Sequence, residues 1–230
     1  MDALSSAGNH SEVPGACLDR LLQQRSALRK PPVSAQRIPS RPFSPDQADP
    51  TERLFIALPV PAPVREALAA LARALPGVKW TRPEKLHLTL RFLGDVPVEK
   101  IEPMIVRLAM VRVARFVLPV EGVGTFPPNR PPRVVWAGTG SGHPRLFQLR
   151  QRLDDTLLAA GLQLDVRTFH PHATLARCTD DAGAALTHWL HQHREFVAPP
   201  FLVDAFELFS SDLRPDGAVY TLKRRFPLVN

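Results

Sequence analysis

Two short stretches of this chain carry the same polar side chains at the same spacing. In LHLTLRFLG (86–94) His87 and Thr89 are followed by Leu90, and in FHPHATLAR (169–177) His172 and Thr174 are followed by Leu175. One His-x-Thr-Leu tetrapeptide is a common accident. Two copies, each in an apolar alternating segment and each preceded by a helix-forming stretch, point to paired halves that face each other. In a strand, His and Thr two residues apart share a face. A pair of imidazoles on opposed faces can cleave a phosphodiester without metal, one taking a proton from the attacking water and the other giving one to the departing oxygen. Each threonine hydroxyl can donate to a non-bridging phosphoryl oxygen, where charge gathers as phosphorus becomes five-coordinate. Starting from the ordinary imidazole value of about 6.5, such a pair is expected to work best near neutrality.

An arginine would assist this chemistry. Strict alternation puts Arg91 on the His87 face beside Thr89, with Leu88, Leu90 and Phe92 on the other. Arg177 falls on the face opposite His172 unless its strand bulges or ends there. Alternation therefore favours Arg91. By alternation His170 shares a face with His172 and could line the same cleft. His188, His191 and His193 do not share one helix face and read as a solvated helix end rather than a metal site. Trp80, Trp136 and Phe92 are assigned to packing.

The elements that must position these groups are legible from periodicity. RLFIAL (53–58) is an apolar strand, PAPVREALAALARAL (61–75) an amphipathic helix opening with proline, and 98–114 a second helix. FVLPVEGVGTF and RVVWAG are strands around a proline-rich turn. A helix over 144–161, a strand at 172–177, a helix near 182–194 and two strands, FLVDAFELFSS and AVYTLKRRF, complete the pattern. Strands and helices alternate without uniform parallel units, which favours α+β with antiparallel sheets.

Composition sets the outer limits. A chain of 230 residues, 44% hydrophobic and 22% charged, can bury a sizeable core. Residues 1–50 hold seven of the 25 prolines and one short apolar patch, CLDRLLQQRSAL; they read as a mostly disordered extension, with the folded domain over 51–230. The net charge is +7, and because the first fifty residues balance six basic against five acidic side chains, the excess lies in the domain. That favours a polyanionic partner. Cys17 and Cys178 are the only cysteines, so neither a disulfide framework nor a multi-cysteine metal site is available. No long apolar run and no secretory leader pattern is present, and the expected location is the cytoplasm, without a membrane or an obligate protein partner.

At the two His-x-Thr-Leu motifs the chain resembles the two-histidine phosphoesterase superfamily, and specifically the RNA 2′,3′-cyclic phosphodiesterases also described as bacterial 2′-5′ RNA ligases. The resemblance covers roughly residues 52–228 and includes the RLFIAL strand, KLHLTLRFLG, the RVVW strand at 133–136, the FHPHATLAR context and the closing YTLKRRF. It implies a bilobal, pseudo-symmetric α+β fold with two antiparallel sheets facing a central cleft and helices outside. It implies His87 as proton donor, His172 as proton acceptor, Thr89 and Thr174 as phosphate ligands, and no metal or other cofactor. The family's arginine after the second motif matches Arg177, which implies a strand end that redirects this side chain. The implied activity is hydrolysis of an RNA terminal 2′,3′-cyclic phosphate to a 2′-phosphomonoester. The alternatives are 2′-5′ ligation at the same site, with an RNA 5′-hydroxyl in place of water, and a non-catalytic RNA-binding module. Two departures are the extension of residues 1–50 and Ala173, where the family often has a β-branched residue.

Overall fold

A computed structural model describes residues 50–128, 131–165, 167–215 and 217–230. The expected extension, its apolar patch and Cys17 lie outside the described residues. Strand β1 (Thr51–Pro59) is buried continuously from Leu54 to Leu58. Such a run marks a strand covered on both faces. It sits at the centre of one half of a sheet, between β3 (His87–Pro97) and β9 (Ala205–Arg214), with β10 (Gly217–Pro227) at the edge. The other half comprises β7 (His172–Cys178), β6 (Val134–Gly138), β5 (Val123–Phe126) and the short β2 (Val78–Trp80). All of these pairings are antiparallel.

The two halves meet at β3 and β7 through the residue pair Leu88 and Ala173, the central residues of the two motifs. Just beyond this pair, β2 runs along the same edge of β7, and the Thr81 N–H donates to the Leu175 carbonyl at 2.8 Å. A short 3-10 turn at Pro83–Lys85 then leads the chain into β3. Thus β2 and β3 border β7 as one interrupted strand. A second, two-stranded antiparallel sheet pairs β4 (Phe116–Glu121) with β8 (Val197–Val203). The architecture is α+β with two antiparallel sheets, as expected, and both motif strands belong to the larger sheet.

Four α-helices among the described residues complete the fold: α1 (Ala62–Ala69), α2 (Val98–Leu108), α3 (Pro144–Ala159) and α4 (Gly183–His193). Helix α3 shows why the pattern was readable, since Leu146, Leu149, Leu153 and Leu157 are spaced three and four apart and all are buried. His143 caps its start, its Nδ1 accepting from the Arg145 N–H at 3.2 Å.

Four expected boundaries are corrected by tertiary contacts, the first at Gly122, which divides FVLPVEGVGTF into β4 of the smaller sheet and β5 of the larger. Helix α1 stops at Ala69 instead of 75, because Leu71 and Ala72 turn back three residues and the Leu71 carbonyl accepts the Trp189 indole N–H at 3.2 Å. Helix α2 stops at Leu108 instead of 114. Beyond it, Val111 and Val113 enter the core, and 113–115 pairs through Val113 and Arg115 with Val229 of the C-terminal segment. FLVDAFELFSS is divided at Asp204, whose carbonyl accepts from Leu228 and whose side chain accepts from Arg225. The division sends β8 and β9 into different sheets. No helix among the described residues is long and apolar enough to cross a membrane.

Candidate active site

His87 and His172 open their strands at the seam between the two halves of the sheet, and each is held by the same local device. The Nδ1–H of His87 donates to the Lys85 carbonyl at 2.7 Å, and that of His172 donates to the His170 carbonyl at 2.7 Å. In both cases the acceptor lies two residues earlier. With Nδ1 carrying the proton, Nε2 of each neutral ring is left as the acceptor that can take or return one. The His170 backbone thus fixes the His172 ring.

Each imidazole is walled by aromatic rings. Phe55 lies 5.0 Å and Tyr220 5.3 Å from His87; Phe126 lies 5.0 Å and Trp136 6.4 Å from His172. Trp136 reaches this position because β5 offers Gly124 beneath it, where a Cβ would fall 2.3 Å from the indole ring. The walls have an electrostatic consequence. Burial pushes both imidazoles below the ordinary value by disfavouring the charged form, and the bonds to the Lys85 and His170 carbonyls offset part of this. A charge on His172 lowers His87 further.

Alternation fails in both motif strands, and at the same place. In the pairing of β1 with β3, Ala57 faces Thr89 and Ile56 faces Arg91, so Leu90 is an extra residue. In the pairing of β6 with β7, Trp136 faces Thr174 and Val135 faces Ala176, so Leu175 is an extra residue. Each is a β-bulge at the leucine of a His-x-Thr-Leu motif. A bulge reverses the phase of the residues that follow it, in β3 as far as a second shift at Leu93.

The reversal decides between the two arginines. Arg91 turns to the core side, only 8% exposed, where Asp154 binds it through both carboxylate oxygens at 2.8 and 2.6 Å. It therefore does not share the His87 face, and the expectation from alternation is corrected. Phe92, expected in the core, is instead 65% exposed and lies 6.1 Å from Phe55. Past the second bulge Ala176 and Cys178 are buried and Arg177 is exposed, on the side of His172 and Thr174. The strand continues to Cys178, so a bulge rather than a strand end redirects Arg177.

The other candidates stay apart from this site. Trp80 donates to the Arg73 carbonyl at 2.6 Å and packs on Trp189. His193 stacks on Trp189 at 4.5 Å and bonds its carbonyl. Among the described residues no group of three His, Cys, Asp or Glu side chains is placed to hold a metal ion. Three ring neighbours, Phe55, Phe126 and Tyr220, were not singled out in the sequence, and the fourth, Trp136, was assigned there to packing but stands beside His172.

The arrangement offers two Nε2 atoms, two hydroxyls and one exposed guanidinium around the joint between two similar half-sheets. The LigT like Phosphoesterase family matches residues 58–136 and 140–220, one His-x-Thr strand in each segment. The chain belongs to the LigT-like phosphoesterases. An Archaeoglobus fulgidus relative of this phosphoesterase, named RNA 2′,3′-cyclic phosphodiesterase, is 33% identical over 177 residues, 76% of this chain and 99% of the relative. A Thermus thermophilus relative of the same name is 34% identical over 192 residues, 76% and 90% of the two chains. Among solved structures, apo LigT of E. coli superposes with a TM-score of 0.66 at 29% identity, covering 79% of this chain and all of that one.

Proposed function

We propose that this phosphoesterase hydrolyses the 2′,3′-cyclic phosphate at the end of an RNA strand, with His172 as general base and His87 as general acid. The observation that carries this reading is the matched pair of histidines, each with Nδ1–H tied to a carbonyl two residues back, on strands that meet at Leu88 and Ala173. The name borne by the relatives supplies the substrate class.

In the proposed reaction His172 Nε2 takes a proton from water as the water oxygen bonds to phosphorus. The bond from phosphorus to O3′ then breaks, and His87 Nε2–H delivers its proton to that oxygen, leaving a 2′-phosphomonoester. Thr89 and Thr174 donate to the non-bridging oxygens and Arg177 faces the same charge, an arrangement most favourable where negative charge builds. Every participant in these steps is a side chain or water.

The test is product length. RNA ending in a 2′,3′-cyclic phosphate is incubated in excess EDTA, with and without a 5′-hydroxyl oligonucleotide. The expected product in both cases has the starting length and a 2′-phosphate. A longer product would assign the site to 2′-5′ ligation. Binding without turnover would make the protein an RNA-binding module, and loss of turnover in EDTA alone would overturn the two-histidine mechanism.

The pH dependence carries a second expectation. The rate requires one imidazole protonated and the other neutral, so kcat/KM is bell-shaped and peaks midway between the two apparent pKa values. Because burial lowers both, the peak lies on the acid side of the ordinary value of about 6.5. This displaces the neutral optimum expected from unperturbed histidines. A bound phosphate favours the imidazolium form, so the profile of kcat is displaced upward from that of kcat/KM. A kcat/KM profile centred above about 7 would show that burial does not control the pair.

A further inference from the structure

Arg177 has a charged neighbour that the reaction above leaves unused. The register of β2 on β7 places Lys79 directly opposite Arg177. Val78 and Trp80, on either side, pack against the core, so Lys79 projects to the face that carries His172, Thr174 and Arg177. Both cations are exposed, and among the described residues neither forms an ion pair. Asp180, the first acidic residue after β7, is engaged by Arg133 at 2.9 Å. Like charges facing each other across an antiparallel pair repel. A cavity of about 390 Å³ adjoins them, lined by Gly77, Val78, Lys79, Arg177, Cys178 and Thr179, with no carboxylate among these residues.

We infer that Lys79 extends the anion-binding face of β7 into a second phosphate subsite, which holds an internucleotide phosphate of the RNA strand whose cyclic end lies between His87 and His172. This rests on the phosphodiesterase reading. At about 3.3 Å per residue, the five-residue step from His172 to Arg177 separates their Cα atoms by roughly 13–16 Å once the bulge is allowed for. Arg177 spans that step with its long side chain toward the reacting phosphate, and Lys79, directly across from it on β2, is left for the next phosphate of a continuing chain. A bound phosphodiester would also relieve the repulsion between the two cations.

The experiment compares two substrates, a nucleoside 2′,3′-cyclic monophosphate and a trinucleotide ending in a 2′,3′-cyclic phosphate. In Lys79→Ala, kcat/KM on the trinucleotide falls about tenfold further than on the mononucleotide, while Lys79→Arg keeps the wild-type ratio. Removing one phosphate contact to a single strand also lowers the slope of log kcat/KM against log salt by about 0.7 on the trinucleotide. Equal losses on both substrates, or no loss on the trinucleotide, would overturn the inference. If wild-type protein turns over neither substrate, the phosphodiesterase reading fails, and fluorescence anisotropy with a labelled trinucleotide bearing a 3′-phosphate decides the subsite separately. A Kd raised about tenfold by Lys79→Ala supports it, and an unchanged Kd overturns it.

Discussion

Substituting alanine for either His87 or His172 is expected to lower kcat by about two to four orders of magnitude, since each variant deletes one of two proton-transfer partners. The fold should survive, because each ring makes one hydrogen bond, to a local carbonyl, and stands at the start of its strand. Circular dichroism and melting temperature check that condition. The two losses can be told apart by the leaving group. A phosphodiester that expels a nitrophenolate needs no proton donor, whereas its attack by water still needs a base. Such a substrate should restore His87→Ala far more than His172→Ala. Their bonding is alike, so their roles separate through the seat of the departing oxygen, which this comparison reads directly. Equal rescue, or rescue of His172→Ala, would reverse the proposed acid and base.

The second large effect is on stability and falls on the far side of the same strand. Asp154 receives Arg91 through two hydrogen bonds and Arg150 through Nε at 3.0 Å. Arg150 also donates to the carbonyl of Leu90, the bulge residue of the first motif, at 2.7 Å, and its guanidinium lies 4.8 Å from the ring centre of Phe169. Arg91 donates in addition to the Asp165 carbonyl. The group thus ties the first bulge to helix α3 and to the segment leading into the second motif. Asp154→Ala leaves two largely buried guanidinium groups without their carboxylate, a change expected to cost about 3 kcal/mol. For a domain of this size that lowers Tm by roughly 6–12 °C. Replacing all three members by apolar residues, Arg91→Met with Arg150→Met and Asp154→Leu, should recover most of the loss, because no buried charge then remains unpaired. Thermal unfolding measures both. An Asp154→Ala protein that melts within about 2 °C of wild type would show that water already solvates this group.

What the sequence determined by itself is whatever local periodicity encodes. The repeated His-x-Thr-Leu motif singled out both histidines and both threonines as candidates, and the strands that carry them meet at Leu88 and Ala173. The four leucines of α3 marked a helix, and the unbroken apolar run of β1 marked a buried strand. The tertiary structure decided what depends on a partner strand or a distant contact. The fate of Arg91 and Arg177 turned on bulges at Leu90 and Leu175, which exist only in register with β1 and β6, so alternation within one strand assigned both arginines to the wrong face. Helices α1 and α2 ended early because Leu71 and the 113–115 segment found partners in Trp189 and Val229, far along the chain. The pairing of Lys79 with Arg177 and the aromatic walls around the histidines have the same origin. Residues distant in sequence become neighbours only when strands pair, and a strand's own pattern records its faces but not what will lie beside it.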